Sequence, residues 1–579
     1  ANGIILVTTK LGSKERSSIE YNNYFGVQKA TFLPDPVSNS ADFMEAWNTA
    51  WENEGRTGPY LQAEIDEYRN SPTSQWTPNT NWMDVSFRNA FIQEHNLRFS
   101  GGTEKTRFAV STGYLDQEGV VIGSGSKRYS GNLRLSSNLN SRISIEAGVS
   151  ANRIDIDHLA YGTADTMNRL FRMAPVMPIG RLPDGTWPYH RTVTPSQNAF
   201  ENPQTLAEDF SRKQIIDRIM LNFNFNFKLM EGLTYDLRAS ATERKSRTKI
   251  WYPKMNQYPV GPGAREYNWR STAQLWDQRY QDTKKMITNL LTYQKTIKNE
   301  HAIVALLGNS MEKYYYDDMN TSKTQFPSND LQEMNTGTVL NSIDGTSVED
   351  ALLSYFGRIQ YAYRDKYLLE VNGRYDGSSR FSADNRWGFF PSFSAGWRIS
   401  EESFMKHIDW VDALKIRASY GKIGMQEIGR FQYVNSIVLD NMGYAFGGTY
   451  QSGAAATGMK DPEISWETTT MTNFGLDWGL FRGVLTGDFE VFRKRTDGIL
   501  RTVTLPAQVG ALSGPVSNVA VVDNTGFEMT LQHNKQIGDF SYQISGTLTK
   551  IKNEVVDMKG ENLYEGYCNP MDYFVLRPI

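Results

Sequence analysis

The stretch Arg218–Ser240, RIMLNFNFNFKLMEGLTYDLRAS, constrains the fold more than any other. From Leu221 to Leu229 every odd residue is apolar: Leu221, Phe223, Phe225, Phe227 and Leu229. Every even one is polar: Asn222, Asn224, Asn226 and Lys228. After Met230-Glu231-Gly232 the alternation resumes through Leu233, Tyr235, Leu237, Ala239 and Ala241. A period of two belongs to a strand with two unlike faces. The Phe face suits a protein core or a lipid phase equally, so other features must decide between them.

Alternating runs recur along the chain, about seventeen in all. They lie near 18–27, 93–102, 106–115, 128–138, 142–153, 218–229, 233–243, 284–296, 301–314, 352–363, 367–376, 389–399, 413–421, 470–480, 483–493, 525–534 and 539–550. Their connections alternate in length. GTEK, LNS, MEG, IKNE and RDK are short, as are those at Phe481-Arg482 and Ile537-Gly538. Between them come long connections over 28–92, 154–217, 244–283, 315–351, 422–469 and 494–524, with intermediate ones at 116–127 and 377–388. The segment 400–412 should be short by this rule and is not; it reads as a short amphipathic helix capped by Ser400 or Glu401. Strict short/long parity is the habit of outer-membrane barrels, with short periplasmic turns and long outer loops. Greek-key sandwiches break the parity, and no blade period of a propeller is present. The fold class expected is therefore all-β, a transmembrane antiparallel up-and-down β-barrel.

Composition agrees. No run of about 18 apolar residues exists, and a barrel strand needs only about 9–11 residues, half of them polar. Aromatic residues make up 12 %, with 30 Tyr and 47 Gly, as strands, turns and interfacial girdles require. Net charge is −3, which offers nothing to nucleic acid. A lone Cys568 excludes an intrachain disulfide framework.

The barrel reading assigns faces. In 142–153, Ile143, Ile145, Ala147, Val149 and Ala151 meet lipid, while Ser144, Glu146, Ser150 and Asn152 meet the lumen. In 352–376, Tyr355, Ile359, Tyr361, Tyr363, Tyr367, Leu369, Val371 and Tyr375 face out; Arg358, Gln360, Glu370, Asn372, Arg374 and Asp376 face in. Asn222, Asn224, Asn226 and Lys228 are lumen-facing by the same logic. A charge at the bilayer midplane costs about 2–4 kcal/mol, so charges should share the inner face.

Several segments resemble the SusC/RagA family of TonB-dependent outer-membrane transporters. ANGIILVTTKLG (Ala1–Gly12) resembles the last strand of that family's plug. GRYDGSSRFSADNRWGFFPSFSAGWRISEESFM (Gly373–Met405) is similar to a family signature, followed by LKIRASYGKIG (Leu414–Gly424). DPEISWETTTMTNFGLDWGLFRGVLTGDFEVFRKRTDGIL (Asp461–Leu500) and NTGFEMTL (Asn524–Leu531) follow in family order. The resemblance implies a plugged barrel of about 22 strands, leaving about five beyond Ile579. Residues 1–12 would end the plug, and 13–579 would be barrel. It also implies an outer-membrane location in a Gram-negative bacterium, with lipid around the wall and a SusD-like surface lipoprotein as lid. Energy would come from the TonB-ExbB-ExbD complex, through segments outside this chain, and such pairs would form dimers. The expected cargo is an oligosaccharide, with an oligopeptide as the alternative. A passive porin and a surface binder without transport are further alternatives.

No enzymatic motif appears, so no catalytic residue, metal or cofactor is expected. GSGSK at Gly123–Lys127 lacks a following helix and reads as a hairpin loop rather than a phosphate cradle. Asp317-Asp318 reads as a solvated outer loop. DGSSRFSADN (Asp376–Asn385) reads as a structural loop docking on a neighbour in preference to a cation site. The long loops are aromatic, and flat rings stack on sugars or anchor partners. Trp187, Tyr189, Trp251, Tyr252 and Trp269 are the substrate-binding candidates.

Overall fold

The structure is a computed structural model. It describes residues 17–559 apart from 72, 75, 184, 191–201, 261–266, 440–442, 457, 510 and 511. The segment 1–12 and Cys568 lie outside the described residues.

Seventeen strands form one antiparallel sheet. The first five are β1 (Ser18–Gln28), β2 (Ala90–Gly102), β3 (Thr106–Glu118), β4 (Gly125–Asn138) and β5 (Ile143–His158). A taller group follows: β6 (Ser211–Met230), β7 (Leu233–Tyr252), β8 (Gln274–Ile297), β9 (His301–Thr324) and β10 (Val339–Tyr363). The rest are β11 (Tyr367–Ser378), β12 (Trp387–Arg398), β13 (Val411–Met425), β14 (Glu467–Leu480), β15 (Leu485–Thr502), β16 (Val516–Ile537) and β17 (Phe540–Asp557). Each strand pairs antiparallel with the next in chain order, a pure meander without crossovers.

Register carries the alternation from strand to strand. Asn222 lies opposite Gly148 and Ser240, and Asn224 opposite Glu146 and Arg238. Phe225 lies opposite Ile145 and Leu237. Tyr355, Ile359, Tyr361 and Tyr363 pair with Tyr375, Val371, Leu369 and Tyr367, while Arg358 and Gln360 pair with Asn372 and Glu370. Because cross-strand partners share a face, the sheet has one apolar and one polar side. The polar side is knitted by side chains: Asn226 donates to Asp236 at 2.8 Å and Arg417 to Asp477 at 3.0 Å. The apolar side stays exposed, as at Leu307, Ile359 and Met311.

On the tall strands the apolar face is a band of limited height. It covers Ile219–Leu229 on β6, Leu233–Ala241 on β7, Ile287–Ile297 on β8 with Lys295 interrupting it near the short turn, Ile303–Met311 on β9 and Leu353–Tyr363 on β10. Each stretch is close to the roughly 9–11 residues that cross a bilayer. Beyond it the same face turns charged, at Asp217, Glu243, Lys245, Lys285, Lys313 and Glu349. Two amides inside the band satisfy each other: Asn289 donates to Asn309 at 3.0 Å and accepts from the Tyr235 hydroxyl at 2.7 Å. That pairing removes most of the cost of placing amides in an apolar phase.

The parity of connections holds, with two corrections. The tall strands continue past the apolar band, so much of the expected loops 244–283 and 315–351 is strand. The ladder needs only backbone partners, whereas alternation stops once both faces are wet. Asp317 and Asp318 are thus in β9, on opposite faces, rather than in a loop. The segment 400–412 holds two 3₁₀ turns, Ile399–Glu401 and Ser403–Met405, instead of an amphipathic α-helix. Glu402 organises it, accepting from Tyr367, Trp397 and Lys366. Those donors hold its carboxyl below the ordinary range.

Candidate functional site at the long-loop end

The long loops fold into a roof. The first loop contributes α1 (Ser40–Asn53), α2 (Gln62–Asn70) and α3 (Trp82–Ser86); the β5–β6 loop contributes α4 (Thr163–Phe171) and α5 (Pro203–Glu208). Asn39, Asn81 and Asn202 cap α1, α3 and α5 through their side chains. Met44, Ile65, Trp82, Leu170, Val176 and Met177 form one core shared by both loops. Trp82 donates its indole N–H to the Ala174 carbonyl at 2.9 Å, and Thr80 donates to that of Met177 at 2.7 Å. The Asn caps and the spacing of Ala41, Met44 and Trp47 are the sequence signals that could have revealed these helices.

The aromatic candidates occupy two further clusters. Trp187 is buried with Ala160, Leu206, Phe210 and Met255, and its indole donates to Asp209 at 2.5 Å. The Arg181 guanidinium covers its ring at 4.3 Å. Trp251 is buried against Leu275 and Phe326, edge-on to the latter ring. Both indoles are therefore covered by protein. Tyr252 is half-buried, stacked on Tyr161 with Phe210 at its edge and Arg270 over its ring at 4.9 Å. Burial pushes the Tyr161 hydroxyl up. Tyr189 and Trp269 sit on a small sheet formed by Trp187–His190, Met255–Val260 and Tyr267–Arg270.

The DGSSRFSADN segment docks, as its structural reading expected. Phe381 is fully buried with Ile428 and Ile464. Arg380 donates to the carbonyls of Gln426 and Ile428 at 3.2 and 3.0 Å and reaches Asp350 at 3.4 Å. Arg430 clasps the same carboxylate at 2.7 Å. The loop after β11 is thus pinned to the loop after β13.

A further patch lies on the polar face of β7–β9, above the level of the apolar band. Tyr280 and Tyr316 stack at 6.2 Å, Arg244 lies over Tyr280 at 5.1 Å, and Arg430 lies over Tyr314 at 5.4 Å. Arg244 pairs with Asp282 at 2.6 Å and Lys284 with Glu312 at 2.7 Å. Burial and the neighbouring carboxylates hold the Tyr314 and Tyr316 hydroxyls above their ordinary range. Sequence reading missed this patch because it placed Arg244, Tyr280, Asp282 and Tyr316 in loops, where period two is not sought. The arrangement offers flat rings and balanced charges, and it suits noncovalent binding. Among the described residues no group of His, Cys, Asp and Glu is disposed to hold a metal ion.

A sequence model described as TonB dependent receptor-like, beta-barrel matches residues 178–567. The TonB-dependent receptor P39 of Formosa agariphila is 29% identical over 573 residues, covering 98% of this chain and 52% of its own length. The TonB-dependent receptor SusC of Bacteroides thetaiotaomicron is 26% identical over 603 residues, covering 99% and 56%. The chain spans about half the length of the curated relatives it matches. The solved structure of the RagAB peptide transporter superposes with a TM-score of 0.77 at 22% identity, covering 97% of this chain and 64% of that one.

Proposed function

Because this chain belongs to the TonB-dependent receptor β-barrel family, an outer-membrane family, we propose that it forms the wall and outer mouth of an energised nutrient importer. A SusD-like surface lipoprotein would close over the mouth, and the TonB-ExbB-ExbD complex would drive release into the periplasm. The observation that carries this reading is the order-preserving match of nearly the whole chain to TonB-dependent receptors.

In this reading the apolar band meets lipid. Asn222, Asn224, Asn226 and Lys228 then face the water-filled side, where a plug would sit. Ligand is captured at the mouth. Tyr280, Tyr314 and Tyr316 supply the wall contacts, and Tyr189, Tyr252 and Trp269 the loop contacts. Trp187 and Trp251 act at one remove, by holding the loops that carry the others. The reaction is translocation, so no bond is made or broken and no catalytic group is needed.

The cargo we favour is an oligosaccharide, whose C–H faces stack on such rings. An oligopeptide is the second reading, favoured by the fold shared with a peptide transporter. Uptake of labelled oligosaccharides and oligopeptides by cells with and without the gene, and with and without tonB, tests the proposal. Uptake lost in both deletions is the expected result; uptake that persists without tonB would identify a passive porin.

A further inference from the structure

The wall changes height between β10 and β11. β10 pairs with β9 from Val339, opposite Thr324, to Tyr363, opposite His301. β11 climbs beside it only as far as Ser378, opposite Leu352. The other flank of the tall group has no such step, because β5 reaches His158, opposite Arg212. Ala351 fixes which main-chain groups face the step. Its N–H donates to the Ser379 hydroxyl at 2.8 Å, and its carbonyl accepts from the Ser379 N–H at 3.0 Å. The register runs without a bulge from there up to Ser342. Glu349, Ser347, Gly345 and Ile343 therefore point their N–H and C=O groups the same way, in a row about 20 Å long. None of these groups has a partner among the described residues. The lower end of the row is closed by the Arg380 and Arg430 clasp on Asp350. Above it, residues 343–347 are exposed. The row stands clear of the apolar band, which begins on this strand at Leu353. Its outward flank is nevertheless apolar: Leu340 and Ile343 on β10 and Met319 on β9 are exposed and share that face by register. Its mouth-side flank carries Asp344, exposed and without an ion-pair partner among the described residues. Glu349 is already engaged by Lys313 at 3.1 Å.

An open strand edge is a template for another chain, and proteins blunt such edges with Pro, Lys or a covering element. Residues 343–347 have none of these. We infer that this edge docks an extended segment of a partner protein at the cell surface by strand addition. Main-chain hydrogen bonds supply the hold, and side chains at alternate positions supply the choice of segment. Apolar residues on its outward face cover Leu340, Ile343 and Met319; neutral or basic residues on its other face meet Asp344. Cargo in the mouth would lie on the opposite flank and leave the apolar one in water. A second copy does not fit either. Two copies in one membrane run β10 in the same direction, so this edge cannot pair antiparallel with itself. In the importer reading the partner is the lid lipoprotein, and the inference rests on that reading for where the partner comes from; the edge pairing is its own claim.

The test is binding to the full-length receptor in nanodiscs, with empty nanodiscs as the blank. The probe is a capped octapeptide of alternating Val and Lys, beside a copy methylated at every main-chain nitrogen. The unmodified peptide should bind, and the methylated one about ten-fold or more weakly. Ser347→Pro removes an edge N–H that β9 does not use and should cost as much, whereas Ser347→Ala keeps it and should bind as wild type does. Residue-resolved hydrogen exchange adds a direct reading. Amides 343, 345, 347 and 349 should exchange fast in the free receptor and slowly with peptide, while 344, 346 and 348 stay protected by β9 in both. Equal affinity for the methylated peptide, equal affinity of a folded Ser347→Pro protein, or edge amides already protected in the free receptor would overturn the proposal. A photo-cross-linker at position 343 in cells names the occupant. An adduct to an alternating segment of a surface protein, lost in Ser347→Pro, is the expected result. Adducts only to a second receptor copy, or only to added oligopeptide, would overturn the assignment. Edge pairing needs no energy source. A receptor that pairs as expected but imports independently of TonB would sink the importer reading and leave this surface standing.

Discussion

Phe225 and Asn224 are neighbours in sequence and opposites in environment. Phe225 sits mid-band between Ile145 and Leu237, so Phe225→Arg places a charge near the bilayer midplane at about 2–4 kcal/mol. The expected result is loss of the heat-modifiable folded band on gels, while Asn224→Asp folds normally. Asp277 makes a second residue-scale prediction. It lies on β8 about 20 residues from the short turn, well above the roughly 30 Å apolar layer. Burial alone would raise its carboxyl, but hydrogen bonds from Arg279 and Arg247 lower it to about 2. A depressed carboxyl contributes stability above its ordinary value of 3.8, and loses it as pH falls toward 2. Allowing for the partly exposed arginines, that contribution is about 1 kcal/mol. Denaturation midpoints measured from pH 6 down to 2 should fall less steeply for Asp277→Asn than for wild type. Equal slopes would mean the two arginines do not hold this charge. The apolar-face residues were legible in sequence because period two displays them. The Tyr280–Tyr316 pair was not, since nothing local marks a strand whose two faces are both wet.

Hairpin turns set register at the scale of elements. Gly232 has φ +79°, and a Cβ there would clash with the Gln294 carbonyl. Gly232→Ala should therefore destabilise the β6–β7–β8 region by about 1–3 kcal/mol, read as a lower refolding yield and melting temperature. Asp365 is the converse case. Arg364 and Asp365 both have positive φ in the β10–β11 turn, a backbone that glycine adopts without strain. Asp365→Gly should stabilise by about 0.5–1 kcal/mol in the same measurement, leaving the Arg364–Glu300 pair in place. The roof is a separate element. Trp82→Ala removes a buried indole and should cost about 3–5 kcal/mol locally. Limited proteolysis should then cut within 159–182 while the strands stay protected; an unchanged digest would mean the two loops do not share a core. Strand existence and order were legible because alternation and loop parity are both long-range patterns. Strand length was legible only inside the band, and the roof helices went unread because the long connections were weighed for their aromatic residues and not for caps and helical spacing.

For the molecule as a whole, one sheet separates two solvents, and its connections separate two compartments. Short turns carry little beyond register. Long loops carry a roof and a docked latch at Arg380 and Arg430. This division lets the wall tolerate many sequences that keep period two. The docking of the segment around Asp376–Asn385 was legible, and Phe381 and Arg380 carry it. Which loop aromatics stay open was less legible, because burial decides it, and burial is a property of the folded loops.

The central claim is that the Phe face of β6 meets lipid and its Asn face meets water. Nitroxide labels placed singly at residues 215 to 229, in a Cys568→Ser background and in reconstituted bilayers, test it directly. Accessibility to oxygen should alternate with period two from 219 to 229, high at odd positions, and accessibility to a water-soluble nickel chelate should alternate in antiphase. At 215 and 217 both should switch to the aqueous pattern, marking the upper edge of the band. Oxygen accessibility that does not alternate, or nickel accessibility that is high at 223, 225 and 227, would contradict the account.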